Sequence, residues 1–397
     1  MQEKEPMMNS KALKIVYVTP QLYTADGVAR VLTMKANYFV EHYGYDITVI
    51  LTEGKGKPLF YELSDKIHVI NLNLNFEEIW HCSFAKKTLL YLKKQRQYKR
   101  MLTETLMNIR PDITVTLLRR EINFINDIKD GSRKIGEMHI LRSHFRNFEK
   151  NQTNFWKELF SKYWNYRLIG KLRALDCMIV LTEKDCKAWN DLDNVVAIPN
   201  PLPLMPKSVS TLSEKRVIAV GRYYQEKGFD LPLEAWSKVY AKHPDWRLEI
   251  FGDGDTEVYK KIRDDLNIPA SSCIINGRTN AIEQEYLKSS VFVCSSRFEG
   301  FGMVIVEAMA CGLAVVSFDC PWGPGSIIAD GEDGILVENG RVDLLAEALD
   351  DVISSPEKQR SMAVKAAKSV QRFRMDQIAQ RWKTLFQQLT EGEIERR

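Results

Sequence analysis

The sequence predicts an α/β protein with two Rossmann-like domains that face each other across a cleft, each built on a doubly wound parallel sheet. Short β-rich runs alternate with longer helical patterns along the whole chain, as in repeated βα units. The length of 397 residues exceeds the roughly 250 to 300 residues at which a single core stops growing. A stretch rich in proline and serine, residues 195–215, interrupts the alternation, which then restarts.

This restart sets the predicted domain limits. We expect an N-terminal domain over residues 1–200, a linker over 201–215 and a C-terminal domain over 216–374, followed by an amphipathic helix within about 375–397. The predicted strands are Lys14–Thr19, Asp46–Leu51, Ile67–Leu72, Asp112–Leu117, Lys134–Met138, Cys177–Leu181, Arg216–Val220, Arg247–Phe251, Ser272–Ile275, Val291–Cys294 and Ala314–Phe318.

Composition and charge narrow the class of protein. Hydrophobic residues make up 45% of the chain and charged residues 27%, which is typical of a folded globular protein. A net charge of +4 is too small to indicate nucleic-acid binding. The seven cysteines include no C-x-x-C pair, which favours a reducing, cytoplasmic setting. No stretch has the ~18 to 20 apolar residues of a membrane span, so we expect any membrane contact to be peripheral.

The segment Glu299–Glu307, EGFGMVIVE, follows a predicted strand and opens a predicted helix. Such a turn presents backbone N–H groups and the positive end of the helix dipole, which suits a diphosphate. Gly300 and Gly302 allow a ligand to approach the backbone closely. The carboxylates of Glu299 and Glu307 can accept hydrogen bonds from hydroxyls, Glu307 from a ribose diol. Alternatively, Glu299 caps the helix and Glu307 pairs with a lysine.

A second strand-to-helix turn, VIAVGRYYQEKGFD, carries Arg222 and Lys227. Two cations near a helix N-terminus favour the binding of a doubly charged leaving group. A solvated surface pair is the ordinary alternative. A cationic turn and an acidic turn in the same domain together favour a divided site, with separate places for phosphates and for hydroxyls.

The order GRYYQEKG, FGDG, EGFGMVIVEAMACGLAVV and DGEDGILV, over roughly residues 216–340, resembles the C-terminal half of family-4 glycosyltransferases (glycosyl transferases group 1). These are retaining enzymes of the GT-B architecture. The resemblance implies that Glu299 contacts the donor sugar and Glu307 the ribose. It also implies that Arg222 and Lys227 bind the phosphates, and that the final helix packs back on the acceptor-side N-terminal domain.

The N-terminal half resembles the family more loosely. After the first strand, VYVTPQLYTADGVARVL has Asp26 and Gly27 where many members have two adjacent glycines. His139, in KIGEMHILRSHF, follows a predicted strand. In the family, a histidine after such a strand often lies near the reacting sugar, and the resemblance implies that role for His139. The alternative is a structural histidine. The candidate catalytic residues are thus Glu299, Arg222, Lys227 and His139. The candidate donor-binding residues are Gly27, Arg222, Lys227, Arg278, Glu299, Gly300, Phe301, Gly302, Met303, Val304 and Glu307.

Motifs for other ligands are weaker. FGDGD contains D-x-D at Asp253 and Asp255, a pattern by which a different glycosyltransferase fold holds a divalent metal, but a plain glycine turn is the interpretation we favour. The sequence contains no P-loop and no complete G-x-G-x-x-G that opens a helix. We therefore expect no metal, and no cofactor beyond the nucleotide sugar that serves as substrate.

Two stretches combine cations with apolar residues. No acidic residue interrupts the cations between Ala85 and Arg100, and three leucines lie among them, as in a helix on an anionic membrane. These cations are Lys86, Lys87, Lys93, Lys94, Arg96, Lys99 and Arg100. A solvated charged face is the alternative. Residues 145–167 interleave aromatic and basic residues, which suits lipid headgroups, a lipid-linked acceptor or core packing.

Together these patterns and the family resemblance predict a glycosyltransferase, and the resemblance implies retention of anomeric configuration. The expected donor is a UDP-hexose or UDP-N-acetylhexosamine, and the expected acceptor is a glycan or lipid-linked saccharide. FDCPWGPGSII resembles members that build bacterial surface polysaccharides, which places the expected enzyme in the cytoplasm or at the inner face of the membrane. Two other classes stay open: a sugar-nucleotide epimerase of the same architecture and a non-catalytic nucleotide-sugar-binding protein. Nucleic acid is not an expected partner.

Overall fold

The computed structural model describes residues 12–140, 142 and 155–392 of the chain, with residues 155–161 described by their backbone alone. These residues divide into two compact units. The first comprises the described residues up to Val180, Cys186–Ile198 and the chain from Ala379 onward. The second comprises Leu181–Asp185 and Pro199–Ile378. Each unit contains a parallel sheet with helices, so the prediction of two doubly wound α/β domains is confirmed.

The first unit is built on a seven-stranded parallel sheet of order β3-β2-β1-β4-β5-β6-β7. Almost every position of its central strands is buried and most carry apolar side chains, as expected of a sheet that is covered on both faces. Its strands are β1 (Lys14–Thr19), β2 (Asp46–Leu51), β3 (His68–Asn71), β4 (Ile113–Thr116), β5 (Arg133–Glu137), β6 (Cys177–Val180) and β7 (Val195–Ala197). Its helices include α1 (Gly27–Tyr43), α2 (Phe84–Ile109) and α3 (Phe155–Arg173), and α4 (Glu183–Ala188) follows β6.

The second unit is built on a six-stranded parallel sheet of order β10-β9-β8-β11-β12-β13. The strands are β8 (Arg216–Val220), β9 (Arg247–Phe251), β10 (Cys273–Asn276), β11 (Val291–Cys294), β12 (Ala314–Asp319) and β13 (Ile335–Glu338). The helices are α5 (Asp230–Val239), α6 (Glu257–Asp265), α7 (Ile282–Leu287), α8 (Met303–Ala310), α9 (Pro324–Ile327), α10 (Val342–Ser354), α11 (Pro356–Ser369) and the start of α12 (Met375–Glu391).

The helix α12 belongs to the second unit in its first turn and to the first unit from Ala379 onward. Its apolar stripe is buried: the ring of Phe386 lies 5.8 Å from that of Phe39 on α1, and the Trp382 ring lies 5.5 Å from that of Phe386. Arg381 donates to the carbonyl of Ala197 at 2.6 Å. Aromatic packing of this kind fixes the helix against the first unit.

Two strands were not predicted, and both are short. Val195–Ala197 lies in the stretch interpreted as a linker, and Ile335–Glu338 is only half-buried and follows a glycine turn. Further along the predicted linker, Leu202 and Leu204 are buried in the core of the second unit. Val195–Ala197 has only three residues, too few for a periodicity to be recognised.

Candidate active site

Two predicted site turns follow strands that are neighbours at the centre of the second sheet. The chain runs outward from β8 through β9 to β10, then returns to form β11 on the other side of β8. At such a reversal the connections diverge and leave a crevice at the carboxyl ends of the central strands, where open α/β sheets bind ligands. Residues 221–228 follow β8 and residues 295–302 follow β11. Strand order therefore brings both turns to one edge of the sheet.

Lys227 and Glu299 form an ion pair at this edge, although they are 72 residues apart in sequence. Lys227 Nζ donates to Glu299 Oε1 at 2.5 Å, and Ser296 Oγ donates to the same oxygen at 2.7 Å. Burial by itself lowers the pKa of Lys227, but the Glu299 carboxylate outweighs that effect and raises the pKa above its ordinary value. The side chains are 21% and 10% exposed, so a cation and a carboxylate lie side by side with some surface accessible to a ligand.

Arg297 fastens the two turns together. Its guanidinium binds both carboxylate oxygens of Asp230, at 2.9 and 2.6 Å, and donates to the carbonyl of Gln225 at 2.8 Å. Ser295 Oγ donates to the carbonyl of Lys227 at 3.1 Å. A two-pronged arginine–carboxylate contact restricts both distance and orientation. Two kinds of contact therefore set the position of Lys227 relative to Glu299: the hydrogen bonds between the two turns, and the ion pair between Lys227 and Glu299 themselves.

Gly302 begins the helix α8 with a φ of +104°, a conformation that residues with a Cβ rarely adopt. The following residues, Met303 and Val304, are partly exposed and occupy the first turn of the helix, where backbone N–H groups have no partner within the helix. Phe301 is buried, and its ring packs edge-on against Phe373 at 5.3 Å. The side chain of Phe301 is thus an anchor that aims the start of α8.

Glu299 is held in place by a segment that follows β12. Its backbone forms an isolated parallel bridge with Trp322, and Gly323 lies against it. A Cβ at Gly323 would lie 2.5 Å from the carbonyl oxygen of Phe301 and 2.8 Å from Glu299 Cβ, so only glycine fits. The segment FDCPWGPG therefore packs against the turn that carries Glu299.

Glu307 lies within α8 and is 4% exposed. The hydroxyl of Tyr286, on α7, donates to Glu307 Oε2 at 3.2 Å. A buried carboxylate needs donors, and Tyr286 supplies one of them. A ligand can therefore reach only a small part of the Glu307 surface. Glu307 lies on α8, the helix that Gly302 begins.

Three further candidates in the second unit lie near the surface. Arg222 is exposed, and its guanidinium stacks over the ring of Tyr224 at 4.8 Å. Arg278 is exposed and follows β10. Gly300 is half-buried between Glu299 and Phe301. The two arginines provide exposed positive charge in the same unit as Lys227, and the charge of Arg222 acts on Lys227.

The remaining candidates, His139 and Gly27, lie in the first unit. His139 follows β5, is 8% exposed, and places Nε2 3.3 Å from Glu137 Oε1. Gly27 is the first residue of α1, after Asp26, whose side chain accepts from the N–H of Ala29 at 2.8 Å. A Cβ at Gly27 would meet no atom within 4 Å, so neighbouring atoms do not require glycine there.

The two aspartates of the D-x-D pattern are exposed in the turn after β9. The Asp255 side chain accepts from the N–H of Glu257, the first residue of α6, at 2.9 Å, while the carbonyl of Asp253 accepts from the N–H of Tyr223. Within the described ranges, no three histidine, cysteine, aspartate or glutamate side chains are grouped so that they could hold a metal ion.

Comparison with known proteins decides the family. Residues 204–369 match the family model described as Glycosyl transferases group 1. An uncharacterized glycosyltransferase of Haemophilus influenzae is 30% identical over 381 residues, which cover 93% of this chain and 99% of that protein. The chain belongs to the group 1 glycosyltransferases.

Other similar proteins agree with this assignment. The amylovoran biosynthesis glycosyltransferase AmsD of Erwinia amylovora is 30% identical over 217 residues, 52% of this chain and 60% of AmsD. S. aureus TarM, solved as a variant with fondaparinux, alpha-GlcNAc-glycerol and UDP, has a TM-score of 0.72 at 16% identity, covering 94% of this chain and 99% of TarM. The likeness to TarM shows that the fold is that of a GT-B glycosyltransferase.

Several residues that position this glycosyltransferase's candidate site were missed from the sequence. Ser295, Ser296 and Arg297 directly follow β11, and polar residues at the end of a buried strand are a signal that could have found them. The partners Asp230 and Tyr286 carry no such signal, because each meets the site only through tertiary contact.

Proposed function

We propose that this glycosyltransferase moves a hexose or N-acetylhexosamine from a UDP donor to a glycan or lipid-linked acceptor, with retention of anomeric configuration, in surface-polysaccharide synthesis. One observation carries the proposal: Lys227 and Glu299 are paired at 2.5 Å at the reversal point of the second sheet, next to the first turn of α8. Cation, carboxylate and helix N-terminus match the phosphates and hydroxyls of a nucleotide sugar.

In this proposal each group has a defined role in donor binding. Arg222, Lys227 and the backbone N–H groups around Phe301 to Val304 bind the diphosphate, with Arg278 and Gly27 as further contacts. Glu299 accepts hydrogen bonds from the sugar, and Glu307 from the ribose. When the donor binds, its phosphate oxygens compete with Glu299 for Lys227, which frees the carboxylate for the sugar hydroxyls.

A nucleoside diphosphate is a good leaving group, so the main catalytic task is to stabilise the charge that grows on its phosphates. Lys227, Arg222 and the helix end supply that charge, and we propose that the reaction needs no metal. For retention, the departing phosphate takes the proton of the acceptor hydroxyl on the same face of the sugar. We propose that His139, a residue of the first unit, contacts the reacting sugar.

The similar proteins support the choice of substrates. TarM was solved with UDP and an alpha-linked GlcNAc-glycerol, and AmsD is named for amylovoran biosynthesis. A UDP-α-sugar that yields an α-linked product has kept its anomeric configuration. Transfer of these features to the present chain is the proposal.

A panel of UDP-sugars tests the proposal. The chain is incubated with UDP-glucose, UDP-galactose, UDP-GlcNAc and UDP-GalNAc, with and without polyol phosphate or lipid-linked saccharide acceptors, and products are analysed by mass spectrometry and proton NMR. We expect transfer from one donor, an α-anomeric product and undiminished rate in excess EDTA. Isomerisation without acceptor would indicate an epimerase, and binding without turnover a non-catalytic protein. Strict dependence on a metal would overturn the metal-free part and return attention to Asp253 and Asp255.

We further propose peripheral contact with an anionic membrane through the first turns of α2, where large apolar and basic side chains are exposed together. Phe84 and Leu89 are 87% and 74% exposed. The exposed cations among them are Lys86, Lys87, Lys93 and Arg96. An apolar surface of this kind surrounded by cations suits an anionic lipid surface. None of the described helices is long and apolar enough to cross a membrane.

The structure changes which lysine should be tested for membrane binding. Lys94 turns inward: its Nζ binds the carbonyl of Leu74, the carbonyl of Asn75 at 2.9 Å and Glu78 at 3.1 Å. Charge reversal at Lys93 and Arg96 should therefore abolish flotation with anionic liposomes. Charge reversal at Lys365 and Lys368, which are exposed on α11, serves as the control and should leave flotation unchanged. Unchanged flotation of the first variant would show a merely solvated face.

The second basic stretch is described only in part. Phe145, Phe148 and their neighbours in 143–154 lie outside the described residues, and the side chains of 155–161 are also outside. Tyr163 and Tyr166 on α3 are exposed. They offer exposed aromatic surface on α3 that an acceptor or lipid could contact.

A further inference from the structure

A buried ionic cluster lies in the interior of the first unit. Lys35, on α1, is 1% exposed and binds Oε1 of Glu137, the last residue of β5, which is 2% exposed. The same carboxylate oxygen lies 3.3 Å from Nε2 of His139. Two basic side chains, Lys35 and His139, therefore share one carboxylate oxygen.

Aromatic rings enclose this cluster. Lys35 Nζ lies 4.2 Å from the ring centre of Trp382 on α12 and 6.0 Å from that of Tyr17 on β1. The Tyr17 hydroxyl and Glu137 Oε2 are both buried and have no hydrogen-bond partner among the residues that the structure describes. The surroundings are apolar, and few groups other than Lys35 and His139 compete for the Glu137 carboxylate.

Stability alone does not account for such a pair. The cost of removing two charges from water often exceeds their attraction, and apolar residues of similar size would pack as well or better. What the pair does provide is a carboxylate in a fixed position. Burial raises the pKa of Glu137, but Lys35 and His139 outweigh this and hold it at about 2, so the acceptor beside His139 stays ionised.

We propose that Lys35 and Glu137 are positioning residues for His139: Lys35 anchors the carboxylate, and the carboxylate binds Nε2–H and leaves Nδ1 as the nitrogen that faces other partners. A histidine's tautomer is set by the bond that its other nitrogen makes. Trp382 covers the pair, which makes α12 part of the same support. The inference rests on the proposed role of His139 in transfer.

A set of variants tests whether Lys35 and Glu137 position His139. Lys35→Met with Glu137→Leu replaces the pair by apolar side chains of similar size, which avoids leaving one buried charge unpaired. We expect this double variant to unfold at a temperature no lower than wild type, and its kcat to fall at least about tenfold, as when the partner that orients a functional histidine is removed. Adding His139→Ala to it should change kcat less than about twofold further, because residues that act as one unit are not additive.

The tautomer of His139 gives a readout that does not depend on activity. In ¹⁵N-labelled protein, with the His139 signals assigned by their loss in His139→Ala, we expect the Nε2–H form in wild type and a mixture in the double variant. An unchanged tautomer, or wild-type kcat in the double variant while His139→Ala is impaired, would overturn the positioning role of Lys35 and Glu137 but not the role of His139. Full activity of His139→Ala would instead overturn the proposed role of His139.

Discussion

Replacing Glu299 with glutamine separates the charge of the side chain from its shape. The variant keeps a hydrogen-bond acceptor for Lys227 and Ser296, which lie 2.5 and 2.7 Å from Oε1, but removes the negative charge. Hydrogen bonds to charged groups contribute about 1.5 to 3 kcal/mol and neutral ones about 0.5 to 1.5 kcal/mol. Because both ends of the pair are partly exposed, we expect the free energy of unfolding to fall by only about 1 kcal/mol.

The effect on transfer should be larger than the effect on stability. If Glu299 binds the donor sugar through a charge-assisted hydrogen bond, replacing it with the neutral bond that glutamine can make costs about 1 to 1.5 kcal/mol in the transition state, or about 5- to 13-fold in kcat/KM. Complete truncation should be more severe, and we expect Glu299→Ala and Lys227→Ala each to abolish detectable transfer with the fold intact. Initial rates with the active UDP-sugar and urea unfolding of the same preparations measure both quantities.

A matched control is available in the same unit. Glu257 pairs with Lys260 at 2.8 Å on the exposed surface of α6, so Glu257→Gln makes the same chemical change away from the site. We expect its kcat/KM and its urea unfolding midpoint to equal those of wild type, because solvent screens an exposed pair. Wild-type kcat/KM for Glu299→Gln, or an equal loss in the control, would refute the assignment of Glu299 to the donor sugar.

Three further predictions concern the fold around these sites. Gly228→Ala should lower the free energy of unfolding by more than about 1 kcal/mol in urea titrations, because φ is +60° and a Cβ would lie 2.5 Å from the carbonyl oxygen of Ser295; an unchanged midpoint would contradict it. Glu137 should contribute stability above its ordinary pKa near 4.5 that is lost as pH falls toward about 2, so the free energy of unfolding of wild type should fall relative to that of the Lys35→Met/Glu137→Leu variant in that window, as measured by denaturant unfolding at each pH. Cys82 is partly exposed and should react with Ellman's reagent at pH 8 much faster than three thiols whose burial raises the pKa to about 12, and equal rates would refute this. Those thiols are Cys177, Cys273 and Cys311.

Much of the fold was predictable because its signals are local. The strands β1, β2, β8, β9 and β11 have the predicted bounds, since each is a run of apolar or β-branched residues that ends at a turn. The helix α8 begins at Met303, within the segment that was predicted to open a helix, and Gly302 takes a left-handed conformation as its cap. The strand β7 has only three residues, too few for the same signal, and β13 is a half-buried strand at the edge of its sheet.

The site was predictable in its parts but not in its assembly. The turns with Arg222, Lys227 and Glu299 were recognised from glycines and charges that follow strands, and the resemblance of their motifs supplied the family. That Lys227 pairs with Glu299 follows from β8 and β11 being neighbours, which depends on strand order. The clasp between Arg297 and Asp230, and the bond from Tyr286 to Glu307, likewise join residues that no local pattern connects.

The sequence by itself determined which segments become strands and helices, where glycine turns present backbone and charge, and which family the chain resembles, because these depend on neighbours within a few residues. Only the tertiary structure decided which charges meet. Lys94 turned inward to carbonyl oxygens instead of joining the basic face, and Lys35 met Glu137 across 102 residues of sequence. Such contacts depend on burial and strand order, since a charge removed from water must find a partner wherever packing places one.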